Sequence, residues 1–210
     1  MMKENQNTES LGEGVQKIDL DDVKLELRVL GAAGPPLLFL HSGESPSLPS
    51  DAYLRELAGT FRVFAPWHPG FGHGERPTSL KDIGDLAYFY LDLVDALGLD
   101  RPILAGASFG GWIAAEMAIR SPATFAQLVL IAPLGIKVHD RNSRDIADIF
   151  AMADEEFLDA AYADPFRGAL DLSSLDDADL AAYFRGRESL AYFGWKPYMH
   201  NPRLKRWLHR

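Results

Sequence analysis

Four short, largely apolar runs constrain this chain more than any other feature: PPLLFLH (35–41), FRVFAPW (61–67), PILAGAS (102–108) and QLVLIAP (127–133). A strand with one wet face alternates polar and apolar residues, so an apolar run of this length reads as a strand buried on both faces. Helix-like segments separate the runs. PSDAYLRELAGTF (49–61) holds a short helix ending near Gly59. Ile83, Leu86, Ala87, Tyr90, Leu93, Val94 and Leu97 form one apolar stripe, with Gly98 as its stop and Pro102 beyond it. GGWIAAEMAIRS (110–121) is a further helix. Strands alternating with helices imply an α/β fold with a mostly parallel sheet and crossover helices. Ahead of them, VQKIDL (15–20) and KLELRVLG (24–31) flank an Asp21-Asp22 turn and predict an antiparallel hairpin.

The third run ends at Gly106-Ala107-Ser108-Phe109-Gly110, and helical sequence follows at once. A nucleophile presented on a sharp strand-to-helix turn leaves no room for a Cβ two residues before or after it, so Gly106 and Gly110 suit both places. The helix that follows turns its unpaired N–H groups and positive end toward developing negative charge. Ser108 is therefore the candidate nucleophile, on context as much as on pattern.

At this point the chain resembles the α/β-hydrolase family along nearly all its length. LLFLHSGE looks like the family's third strand and oxyanion loop, and FAPWHPGFGHGERP like the fourth strand and its Pro-Gly-x-Gly loop. ILAGASFGG looks like the nucleophile elbow, and QLVLIAP like the sixth strand. The resemblance implies an α/β-hydrolase fold with a helical cap after strand six. It implies a domain layout of a disordered lead (1–14), a hydrolase core (15–139) and a cap (140–210). Ser108 becomes the nucleophile, and the backbone N–H of Phe109 one oxyanion donor. The second donor belongs to the Ser42-Gly43 loop, with Gly43 the first choice. Ser42 departs from the usual glycine, which a backbone donor survives if the loop geometry does. A serine nucleophile argues against the dehalogenase and epoxide-hydrolase branches, which use Asp.

The implied reaction is acyl transfer on a small ester, amide, lactone or carbon–carbon bond beside a carbonyl, without a cofactor. The family order is nucleophile, acid, histidine. NPRLKRWLHR (201–210) resembles the last cap helix, so the sequence reads as truncated before strands seven and eight, with base and acid expected beyond Arg210 and the chain alone expected to be inactive. On that reading QLVLIAP becomes a bare apolar edge. The alternative is a non-catalytic, hydrolase-like module that binds a ligand or partner.

The six histidines offer no ready substitute base. His41 belongs to the oxyanion loop and reads as structural; His41 and His68 are candidate pocket residues. His73 reads as exposed, and His200 and His209 as solvent-facing. His139-Asp140 follows strand six, where Asp140 is a minor candidate acid. Gly70-x-Gly72-x-Gly74 lacks the helix a dinucleotide site requires and reads as a turn-rich loop. The cap aromatics, Tyr183 to Trp207, line a pocket or hold the cap together.

Composition narrows the partners. The 210 residues fit one domain or one domain with a large insertion. A net charge of −9 argues against nucleic acid, whose phosphates call for a basic footprint. There is no cysteine, hence no disulfide and no thiolate metal site, and no metal is expected. No run approaches the roughly 20 apolar residues of a membrane span. The polar start, MMKENQNTESLGEG, lacks the apolar middle of a signal peptide, so a cytoplasmic protein acting on a small molecule is expected.

Overall fold

Two strands, β1 (Gly14–Leu20) and β2 (Val23–Leu30), alternate in burial and pair antiparallel across the Asp21-Asp22 turn, Gly14 opposite Val29 and Leu20 opposite Val23. The computed structural model describes residues 11–43, 51–140, 142–143, 145–164 and 171–210. Residues 1–10 of the expected lead lie outside that set, whereas Leu11 packs against the core and Gly14 already belongs to β1.

The apolar runs become β3 (Pro36–Leu40), β4 (Arg62–Pro66), β5 (Ile103–Ala107) and β6 (Gln127–Ile131). They join the hairpin in one six-stranded sheet of order β1-β2-β4-β3-β5-β6. β2 meets β4 antiparallel; β3, β4, β5 and β6 run parallel. Burial on both faces holds for β3 to β5. Leu38, Leu40, Phe64 and Leu104 point into one core, and Leu37, Phe39, Val63, Ala65 and Ala105 into the other. α1 (Asp51–Ala58) covers the second face through Leu54. α2 (Ile83–Ala96) and α3 (Phe109–Arg120) cover the first. Asp82 caps α2 by accepting the Asp85 N–H at 3.0 Å, and the predicted stripe is buried throughout.

β6 is the exception. All five of its residues are exposed, and among the described residues it pairs only with β5. Beyond it the described residues form three α-helices. α4 (Asp154–Ala161) buries nothing, α5 (Asp177–Gly194) is long, and α6 (Leu204–Trp207) is one turn. Pro197 and Pro202 break the segment between α5 and α6, since proline lacks the N–H a helix interior needs. There the chain turns back instead, and His200 forms an isolated parallel bridge with Gly135. His200 is consequently half-buried, not solvent-facing, and its Nδ1 donates to the Tyr198 carbonyl at 2.8 Å.

Candidate active site

The turn between β5 and α3 is strained where the sequence predicts. Ser108 has φ 48° and ψ −112°, a left-sided conformation that a residue with a Cβ adopts only when its surroundings enforce it. Those surroundings are backbone. The Ser108 N–H donates to the Ile131 carbonyl at 2.9 Å, and the Ser108 carbonyl accepts from Trp112 at 3.1 Å and Leu134 at 3.0 Å. The flanking glycines are sterically required. A Cβ on Gly106 would run into the Gly110 carbonyl, and one on Gly110 into the Leu40 and His41 carbonyls. Ser108 is half-buried at the start of α3, and Phe109 behind it is fully buried.

The His41-Ser42-Gly43 loop follows β3, the strand next to β5, and so reaches the same end of the sheet. Gly43 is buried, and a Cβ there would sit 2.7 Å from Leu190 Cδ1 and 3.2 Å from Phe109 Cβ. The loop is thus wedged between the serine turn and α5. Two links tie α5 down over this end: Ser189 Oγ donates to the Gly70 carbonyl at 2.6 Å, and Arg185 to the Gly72 carbonyl at 3.0 Å. Leu190 and Phe193 are buried beneath the helix, while Phe184, Tyr192 and Trp195 remain exposed. Most cap aromatics therefore do not line the serine site.

His41 and His68 are buried polar residues at the end of β3 and β4, and His68 also lines the groove between the hairpin and residues 67–78. Both are buried, with rings 3.9 Å apart. Their hydrogen bonds follow from which partners can donate. His41 Nδ1 donates to the Ser42 carbonyl at 2.6 Å, and His41 Nε2 accepts the His68 backbone N–H at 3.0 Å. His68 Nε2 donates to the His41 carbonyl at 2.8 Å, which leaves His68 Nδ1 to accept from the Tyr90 hydroxyl at 2.6 Å. Burial lowers the His41 pKa to about 4. Burial, with the charge of His41 beside it, pushes His68 well below the ordinary histidine range. Both rings are neutral near neutral pH, with both nitrogens engaged, so neither has a lone pair left for a serine proton. Tyr90 was legible only as part of an apolar stripe; no local signal announces the role of its hydroxyl.

The other titratable groups sit elsewhere. His73 pairs with Asp179 at 3.7 Å on the surface, and exposed His139 with Asp145 at 2.8 Å. Asp140 bonds the backbone of Asn142 and Ser143, which holds its carboxyl below the usual range and marks it as a turn-forming residue. Glu116, buried in α3, is held by Arg120, Trp112 and Asn201, the last at 2.7 Å. A groove of about 600 Å³ lies between the hairpin and residues 67–78, and another of about 560 Å³ beside α5; Ser108 lines neither.

A family model described as the α/β hydrolase fold matches residues 35–200. The chain is 35% identical over 140 residues to a 2-hydroxymuconate semialdehyde hydrolase of Pseudomonas sp. strain CF600, covering 64% of this chain and 48% of that protein. It is 36% identical over 109 residues to a 2-hydroxy-6-oxo-2,4-heptadienoate hydrolase of Pseudomonas putida, covering 50% and 39%. The chain thus spans less than half the length of these relatives. In structure it resembles a serine hydrolase from Cycloclasticus zankles, with TM-score 0.65, 18% identity and coverage of 88% and 71%.

Proposed function

Because the chain belongs to the α/β-hydrolase fold family, we propose that it acts as a serine hydrolase on a small carbonyl compound, with Ser108 as nucleophile. The observation that carries this reading is the strained Ser108 turn at the head of α3, packed against the Ser42-Gly43 loop. Ser108 Oγ attacks the carbonyl carbon. The N–H groups of Phe109 and Gly43, with Ser42 as the neighbouring donor, stabilise the oxyanion. A general base other than His41 and His68 takes the serine proton and passes it to the leaving group as that departs, and a water deprotonated by the same base then releases the acyl group. Gly106 and Gly110 allow the turn; His41 and His68 shape the loop and take no proton. The substrate is an ester or a ketone cleaved at the adjacent carbon–carbon bond. The latter draws support from the Pseudomonas relatives, whose names specify a semialdehyde and an oxo-dienoate.

A non-catalytic binding module is the second reading, favoured by one observation: the histidines packed beside the serine turn have no free nitrogen. A fluorophosphonate probe separates the two. Hydrolase chemistry predicts covalent labelling of Ser108 that is lost in Ser108→Ala, together with turnover of a p-nitrophenyl ester. An unlabelled, well-folded protein supports the binding module instead.

A further inference from the structure

Two peptide units carry the candidate oxyanion donors of the loop. The first joins the His41 carbonyl to the Ser42 N–H; the second joins the Ser42 carbonyl to the Gly43 N–H. A trans peptide is planar, so the direction of each carbonyl fixes the N–H on its other side. The His41 carbonyl accepts two hydrogen bonds, from His68 Nε2 at 2.8 Å and from the Gly110 N–H at 3.1 Å. The Ser42 carbonyl accepts from His41 Nδ1 at 2.6 Å. Both donor-bearing peptides are therefore aimed by a histidine pair, and one of them is also tied to the serine turn.

The proton order of this network is forced. A carbonyl can only accept, so His68 must carry its proton on Nε2. Its Nδ1 is then an acceptor, and the Tyr90 hydroxyl at 2.6 Å must donate to it. Tyr90 is fully buried on α2, so no bulk water substitutes for it. Without that hydroxyl, His68 keeps a buried, unsatisfied lone pair, and every ring position that relieves it weakens the hold on the His41 carbonyl.

We infer that Tyr90, acting through His68, is a positioning residue that aims the oxyanion loop at the Ser108 turn. The inference rests on the hydrolase reading above for its catalytic meaning, but its geometry can be tested without turnover. The full chain is compared with Tyr90→Phe, which keeps the ring and its packing. It is also compared with His68→Gln, whose carboxamide offers one donor and one acceptor, as the neutral imidazole does. Amide exchange is read at Gly110, bonded to the His41 carbonyl, and at Val29 in the distant hairpin. Histidine nitrogen shifts are read in parallel.

The relay predicts Nε2–H at His68 and Nδ1–H at His41. It predicts exchange at Gly110 about five times faster or more in Tyr90→Phe, the effect of one lost buried hydrogen bond, with Val29 unchanged. It also predicts Gly110 protection largely retained in His68→Gln. On a p-nitrophenyl ester, Tyr90→Phe lowers kcat by a similar factor and leaves KM in place. Exchange that rises equally at Gly110 and Val29, or at neither, overturns the relay. So does the opposite tautomer at His68, or His68→Gln exchanging as fast as Tyr90→Phe. Wild-type protein that neither labels nor turns over overturns the hydrolase reading instead, and the exchange data still decide the relay.

Discussion

β5 and β6 are neighbouring parallel strands of equal length, both mostly apolar, paired residue for residue from Ile103–Gln127 to Ala107–Ile131. Yet Leu104 in β5 is fully buried, whereas every residue of β6 is exposed, Leu130 at 37%. Both strands are apolar enough for two-sided burial, and their surroundings separate them. β5 lies between β3 and β6, under α3 on one face and against the α1-side core on the other. β6 has β5 on one side and no described strand on the other. An apolar run states what a strand requires, and only the tertiary neighbours state whether it is met. The strand that ends at the candidate nucleophile meets the requirement at its three central residues, Leu104, Ala105 and Gly106.

The largest effect tests that contrast directly. Leu104→Ala removes a side chain with no route to solvent and leaves a cavity, so it costs about 2–5 kcal/mol. Leu130→Ala removes a side chain already partly hydrated and costs about 1 kcal/mol or less. Urea denaturation of both variants at one pH reads the difference. Equal costs would show that β6 is covered in solution, and the comparison would fail.

A second prediction concerns the buried cluster at the end of β3. His41 titrates at about 4 in the fold against an ordinary value of about 6.5, because burial disfavours its charged form. The unfolded chain therefore binds more protons between those values. Stability is complete above pH 6.5 and declines as pH falls toward 4, by about 3 kcal/mol for this one group. His68 shifts in the same direction and adds to the loss. The titratable groups facing the pair are each other and Tyr90, and the rest of the lining is aromatic: Trp67, Phe71 and Phe109. Asp140 and Asp171 are exposed and Asp145 is half-buried; all three are shifted downward, so their contribution is lost only at lower pH. Urea midpoints should stay level from pH 7.5 to about 6.5 and then fall steadily to pH 4.5, with the same slope in Leu130→Ala, since β6 carries no titratable group. A flat profile would refute the neutral-pair assignment.

The regular parts of this fold are legible because their signals are local. The runs at 35–41, 61–67 and 102–108 announce two-sided burial, and the stripe from Ile83 to Leu97 announces the face of α2. The Gly106-Ala107-Ser108-Phe109-Gly110 turn announces its own strain, since the steric demand sits within five residues. What escapes the sequence is long-range. Tyr90 reads as one more apolar position until its hydroxyl meets His68, 22 residues away in the chain. His41 and His68 read as candidate pocket residues from their place in the loops after β3 and β4, but the partners that make their burial tolerable, backbone groups and the Tyr90 hydroxyl, have no local signature. His200 reads as solvent-facing because nothing local predicts that the segment after Pro197 returns to Gly135. Leu190 over Gly43 is likewise a product of where α5 lands. Ser42, which departs from the expected glycine, is accommodated because the loop uses its carbonyl, a group every residue has.

The smallest thermodynamic effect is expected where the exposed strand is altered in kind, not in size. Val129 is 41% exposed at the centre of β6. Replacing it with lysine keeps the backbone pairing to β5, lets the long stem lie along the sheet and places the charge in water. Stability should change by no more than about 0.5 kcal/mol. Self-association should change far more. A flat apolar edge with open N–H and C=O groups templates pairing with another strand, and a central charge must be desolvated before a second edge can approach. Sedimentation velocity across a concentration series reads this without reference to activity. Wild-type protein should shift to larger species as concentration rises, and Val129→Lys should remain at the sedimentation coefficient of the monomer. Identical profiles for the two proteins would mean that β6 is not the surface through which this chain meets itself, and the contrast with β5 would then be one of hydration alone.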